Sequence, residues 1–203
     1  MELRQSFAEA VRQHRHGATG AASSLCATIL SHDPDFADAW HLAGLIAHQV
    51  GRTDDGLAHV QHAIRLRPEN AEYYGHLSSI LLAADKCNAA LEAADAAVRL
   101  AAESPAAWYH HGSALHELGQ HEQAIFSLTR AIDLGIDQPA AWNCLGLSKI
   151  NLGHFSQAVV AFESSLAVSP RQASPWYHLS KLVNTGDYQF SKDQIAGIES
   201  LID

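Results

Sequence analysis

The chain has 203 residues, 47% of them hydrophobic and 17% charged, which is ample apolar material for a folded core and argues against disorder. Acids outnumber bases 22 to 13, and the resulting formal charge of -9 repels phosphate backbones, so nucleic acid is a poor partner. Cys26, Cys87 and Cys144 are odd in number and widely spaced, which excludes a disulfide framework or a Cys-x-x-Cys zinc knuckle within the chain.

The N-terminus, MELRQSFAEAVRQHRHG, carries charges throughout and lacks the apolar core of a signal peptide. No later stretch has the length and apolarity to span a bilayer. A soluble cytoplasmic protein without membrane contact is expected, its cysteines acting as small apolar fillers in a reducing compartment.

Along the chain, Trp40, Trp108, Trp142 and Trp176 are separated by 68, 34 and 34 residues, and Tyr74 fills the missing place. The same offset links Gly51, Gly119 and Gly153, Ala90, Ala124 and Ala158, and Pro34, Pro68 and Pro170. Several residue types in phase define a repeat, with units 3–36, 37–70, 71–104, 105–138 and 139–172 and an incomplete sixth over 173–203.

Each unit reads as two helices. In the fifth, Trp142, Leu145, Gly146 and Lys149 fall on one helical stripe and Ala158, Phe162 and Leu166 on a second. Gly153 stands between them, where a residue without Cβ closes a helix in the left-handed conformation; Gly17, Gly51 and Gly119 do the same in their units. Small residues at Gly146 and Ala158 let the two backbones approach, Trp142 covers the contact, and Pro170 ends the second helix. The first unit keeps Gly17, Ala22 and Pro34 but has Ser6 where the aromatic belongs. The third has Asp85 at the turn glycine and Ala102 at the proline, and the fourth has His111 where Leu is usual. Pro105 and Pro139, opening the next units, are expected to supply the missing helix stops. In the last segment Trp176, Leu179 and Val183 predict a first helix, and Ser191 is read as the N-cap of a helix whose apolar face is Ile195, Ile198, Leu201 and Ile202.

This pattern resembles the tetratricopeptide repeat (TPR) family, through Trp142, Leu145, Gly146, Gly153, Ala158, Phe162, Pro170 and their equivalents, over nearly the whole chain. The resemblance implies an all-α, right-handed superhelix of about five helical hairpins plus a C-terminal capping helix. It also implies a concave groove that binds a peptide or protein segment.

With the tryptophan as position 4 of a unit, positions 4, 7, 8 and 11 face the second helix, and positions 2, 5, 6, 9, 12 and 13 lie opposite. The opposite positions supply the expected groove wall: His41, His48, His76, Tyr109, His110, Ser113, His116, Asn143, Leu147, Tyr177 and His178. This aromatic, aliphatic and hydrogen-bonding mixture suits an amphipathic or extended peptide, and Asp38, Glu72 and Glu117 tilt it toward basic partners. From the second unit onward no Lys or Arg occupies positions 2, 5 or 6, so the carboxylate clamp of chaperone-tail binding repeats is missing. The Asn ladder of repeats similar to those of O-linked sugar transferases is replaced by histidine three times, and Asn143 stands one position off it.

The position-6 histidines, His76, His110 and His178, read as polar groove residues rather than metal ligands, because helices about 8–10 Å apart hold equivalent rings apart. HELGQHEQ is no zincin motif, since His116 and His121 are five apart with Gly119 between them, and His59 and His62 lack a third ligand. No metal or cofactor is expected. Histidine contacts with a ligand would make affinity vary between roughly pH 6 and 7.5. No P-loop, dinucleotide fingerprint or nucleophile elbow occurs, and no catalysis is expected. Two other readings remain open: the tail is similar to segments joining such repeats to a bacterial sulfotransferase or other transferase domain, which would make this a substrate-recruiting region. Alternatively, uncapped ends or grooves could pair copies into a homo-oligomer.

Overall fold

The protein, in a computed structural model, is described over residues 2–185 and at residue 189. The described residues form eleven α-helices and no strand, in two compact units, Met1–Ala102 and Glu103–Asp203. In the first unit α1 (Glu2–Arg15) pairs with α2 (Thr19–His32), α3 (Ala37–Gln49) with α4 (Thr53–Leu66), and α5 (Ala71–Ala83) with α6 (Cys87–Leu100). Successive hairpins stack through α2 on α3 and α4 on α5. The second unit repeats the scheme: α7 (Pro105–Glu117) pairs with α8 (His121–Asp133), and α9 (Pro139–Asn151) with α10 (Phe155–Val168). There α8 packs on α9, and α11 (Ala173–Thr185) packs on α10. Helices begin at Ala37, Ala71, Pro105, Pro139 and Ala173, so the period of the tryptophans is also a period of the backbone.

The small residue of each first helix is where the hairpin closes. A Cβ on Gly44 would stand 2.6 Å from Val60 Cγ2, one on Gly112 2.6 Å from Leu128 Cγ, and one on Gly146 2.7 Å from Phe162 Cε1. The large side chain of the second helix therefore lies over the glycine, and Val60, Leu128 and Phe162 are fully buried. Burying a side chain of that size stabilises by roughly 1.5–3 kcal/mol. In α5 and α6 the equivalent residues are Ser78 and Ala94, both buried, so this hairpin has a smaller residue on the second helix.

The expected helix stops form. Gly17, Gly51, Gly119 and Gly153 have φ between 73° and 83°, and Asp85 takes the same turn at φ 58°. At Asp85 the chain closes with Asp85 N–H to Leu82 O (3.0 Å) and Lys86 N–H to Leu81 O (2.9 Å), the pattern also seen at Gly153 and His154. Two stops differ from expectation, since Pro105 and Pro139 are the first residues of α7 and α9. The helix α6 has already ended at Leu100, with Ala101 N–H bonded to Ala97 O, and α8 is closed by Gly135 (φ 90°), with Ile136 N–H bonded to Ala131 O and the Ile136 side chain buried at the position of Pro34, Pro68 and Pro170.

The link between tryptophan and proline is a hydrogen bond. Trp40 Nε1–H donates to Pro34 O (2.7 Å) and Trp176 Nε1–H to Pro170 O (3.1 Å), each six residues back. The indole thus covers the hairpin with its ring and ties down the preceding linker with its polar edge. The first hairpin has no such aromatic, yet α1 forms, because Phe7 packs beside Ala10, Ala22 and Cys26 and its ring lies 5.3 Å from that of Phe36. The helix expected from Ser191 through Ile202, and the side chain of Val183, lie outside the described residues.

Candidate functional site

The expected wall residues fall on the first helices of the hairpins: His41 and His48 on α3, His76 on α5, Tyr109, His110, Ser113 and His116 on α7, Asn143 and Leu147 on α9, and Tyr177 and His178 on α11. Their surroundings differ more than their shared positions suggest.

In the first unit His41 is not an open wall residue, for it is only 8% exposed. Its Nε2 shares a 2.8 Å hydrogen bond with His76 Nδ1, the two rings stack at 4.9 Å, and Tyr73 packs against the other side at 4.6 Å. Burial pushes His41 down to about 3, with His76 adding to the shift and Asp38 opposing it. His76 is lowered by burial while Glu72 opposes the shift. The contact joins position 5 of one hairpin to position 6 of the next, a diagonal that comparing equivalent positions does not cover.

Asp38 is also occupied internally, since it accepts the Tyr73 hydroxyl and pairs with Arg67 Nη1 at 3.0 Å. It is not a free acid for a basic partner. His48 is half-buried at the end of α3, 3.5 Å from Thr53 Oγ1. His59 and His62 both pack on the Trp40 ring, at 5.2 and 4.6 Å, on the α4 side of the hairpin.

In the second unit Tyr109 packs beside Ala131, Ile136 and Ala141. Burial raises its phenol, and a hydrogen bond with Ser113, one turn on, opposes the rise. Ser113 also hydrogen-bonds Cys144 of α9, whose thiol burial pushes up to about 12, so the sulfur is an inert thiol. The His110 ring lies 5.3 Å from that of Tyr109. Asn143 Nδ2–H donates to Gln172 Oε1 (3.2 Å), and Gln172 Nε2–H in turn donates to Ser165 O and Ser169 O. Asn143 thereby locks the linker after α10 instead of presenting a free amide. Leu147 packs against the core of Ala158, Phe162 and Leu179, and the His178 ring stacks on Phe162 at 5.3 Å with an interplanar angle of 11°. Burial lowers His178. Tyr177 is 57% exposed, with Lys181 Nζ 5.3 Å from its ring centre.

Two histidine–serine pairs are the feature that sequence reasoning missed. His116 Nδ1 lies 2.8 Å from Ser148 Oγ, joining α7 to α9, and His111 Nδ1 lies 2.8 Å from Ser127 Oγ, joining α7 to α8. Each hydroxyl already gives its proton to a helix carbonyl, Ser148 to Cys144 O and Ser127 to Gln123 O. The imidazole must therefore be the donor in both pairs. With their protons committed and their residues buried, the serines are struts rather than nucleophiles. His111, expected as a substitute for Leu, is the polar member of such a strut. Across the turn at Gly119, His116 and His121 bring their rings to 5.3 Å from different helices.

No helix among the described residues is long and apolar enough to cross a membrane. No curated protein matches the chain in sequence. Among solved structures, TTC0263, a thermophilic TPR protein of Thermus thermophilus, superposes with a TM-score of 0.76 at 19% identity, covering 89% of this chain and 99% of that one. The APC/C hetero-tetramer Cut9-Hcn1 gives 0.83 at 17% identity over 90% of this chain and 37% of that one. YrrB, a TPR protein with an unusual peptide-binding site, gives 0.62 at 16% identity, over 85% and 89% of the two chains. These likenesses establish the fold. Tetratricopeptide repeat models match residues 37–70 and 76–139 directly, and the matched hairpins contain the Gly44–Val60 and Gly112–Leu128 contacts, so the chain carries tetratricopeptide repeats.

Proposed function

We propose that the chain is a non-catalytic docking module that binds a protein or peptide segment along the first-helix face of its second unit. The observation that carries this reading is the composition of that face. Tyr109, His110, Leu147, Tyr177 and His178 offer half-buried or exposed rings and an aliphatic side chain, with Lys181 as the nearby fixed charge. Rings with polar tips give large contact area at low entropic cost, and they suit an extended or amphipathic segment. The struts and the Gln172 lock hold the wall in place before a ligand arrives, so binding mainly restricts the ligand. The peptide-binding site named for YrrB on a similar fold supports the class of ligand, and the formal charge of -9 favours a neutral to basic one. No catalytic role is assigned, because the serines paired with histidine are structural and Cys144 is held as a thiol.

The test is selection of binders from a random peptide library, followed by calorimetry against Tyr177→Ala and His110→Ala. Affinity at least tenfold weaker in these variants, with the helical circular dichroism retained, is the expected result. Peptides that bind both variants as tightly as the parent would place the site elsewhere.

A further inference from the structure

We propose that His41, Glu72 and His76 form a three-ligand site for a divalent transition-metal ion of the zinc class, with its remaining coordination position open to solvent.

Two elements bring the ligands together. Glu72 and His76 are four apart on α5 and so share one helix face, and His41 reaches them from α3. One donor atom from each of the three lies within 4.8 Å of the others, and this is the one such triad of His, Cys, Asp and Glu among the described residues. The donor set is chemically selective. Two imidazoles and one carboxylate suit zinc and its neighbours, whereas calcium and magnesium prefer oxygen alone.

The surroundings fit ligation. Tyr73 packs on the His41 ring and donates its hydroxyl to Asp38, so the first ligand is held by a ring that is itself anchored. Glu72 is exposed, so its carboxylate can swing without disturbing the core.

Little rearrangement is needed. On a tetrahedral ion with bonds of 2.0–2.1 Å, two nitrogens stand about 3.4 Å apart. His41 Nε2 and His76 Nδ1, now 2.8 Å apart, would separate by roughly half an ångström as the ion replaces the proton between them. That proton moves to the other nitrogen of the ring that holds it, so both imidazoles stay neutral and none is released.

The experiment uses tag-free full chain titrated calorimetrically with zinc alone, and with cobalt(II), whose visible absorption reports coordination geometry. One equivalent of zinc should bind, and cobalt should give an intense tetrahedral-type band. Glu72→Gln should weaken zinc at least tenfold and His76→Gln at least a hundredfold, while His59→Gln/His62→Gln changes neither. Because Glu72 is exposed, its variant remains decisive even if His76→Gln fails to fold. A weak multi-site isotherm, an unchanged affinity in Glu72→Gln, or loss of binding in the His59/His62 variant would overturn the site. The probe is the ion alone, so this outcome is independent of whether a peptide binds.

Discussion

Gly146 lies under the ring of Phe162, at a separation where a single added methyl would meet Cε1 at 2.7 Å and Cζ at 2.8 Å. The ring is fully buried and cannot swing aside into solvent. Gly146→Ala should therefore destabilise the protein by about 1–3 kcal/mol, despite the better helix propensity of alanine. Combining it with Phe162→Leu should cost less than the sum of the two single changes, because the smaller side chain leaves room for the methyl. Urea denaturation of the four proteins measures the coupling; strict additivity would show that the glycine is not there for this contact.

Asp85 makes a turn that glycine makes in the other hairpins, at φ 58°. A side chain in the left-handed region costs on the order of 1 kcal/mol, less for Asp than for most residues. Asp85→Gly is expected to raise stability by roughly 0.5 kcal/mol, the gain being limited by the added freedom of the unfolded chain. Asp85→Val should lower it by more than about 1 kcal/mol, since a β-branched residue tolerates positive φ poorly. Thermal melts of both variants check the signs, which should be opposite.

The hairpins were legible because their determinants are local and recur. A tryptophan, a small residue, a turn residue and a proline at fixed offsets dictate where each helix begins, what it packs on and how it ends, and even Asp85 announced itself by standing in the glycine's place. The side-chain contacts of the wall were not legible, because they depend on the offset between successive hairpins. Comparing equivalent positions keeps His76, His110 and His178 apart, whereas the contact that forms joins His41 to His76, 35 residues away. Glu72 four residues before His76 was a visible signal of a shared face. Asn143 looked like a free amide because its partner, Gln172, sits in a linker with no periodic position. Gly135 was missed for a similar reason, closing α8 in a linker where other units use proline.

Tyr73 carries a buried ring with a hydroxyl committed to Asp38, and Asp38 also holds Arg67. Removing the hydroxyl in Tyr73→Phe leaves the ring packing intact but strips the carboxylate of a charge-assisted bond. The expected loss is about 1.5–3 kcal/mol. Arg67→Ala removes the more exposed partner and should cost under about 1 kcal/mol. Equal losses from the two variants, read from denaturant midpoints, would contradict this ranking of buried and exposed partners.

His116 ties α7 to α9 through Ser148, and burial is the largest influence on its titration, lowering it below the ordinary histidine value of about 6.5. Glu117, beside it on the chain, opposes the shift, and His121 at the start of α8 adds to it; Ser148 of α9 brings no charge. Because the folded form holds its proton less readily than the unfolded form, the unfolded chain binds more protons as pH falls below about 6.5. The contribution of a neutral His116 is thus complete above that pH and is lost as pH falls through the folded value. Chemical denaturation at pH 7.5 and 5.5 should show a smaller acid-side loss of stability in His116→Gln than in the parent protein. The difference belongs to the histidine and not to the strut if Ser148→Ala lowers stability at both pH values while leaving the parent's pH slope in place. An identical slope in His116→Gln would mean that other histidines govern the acid limb.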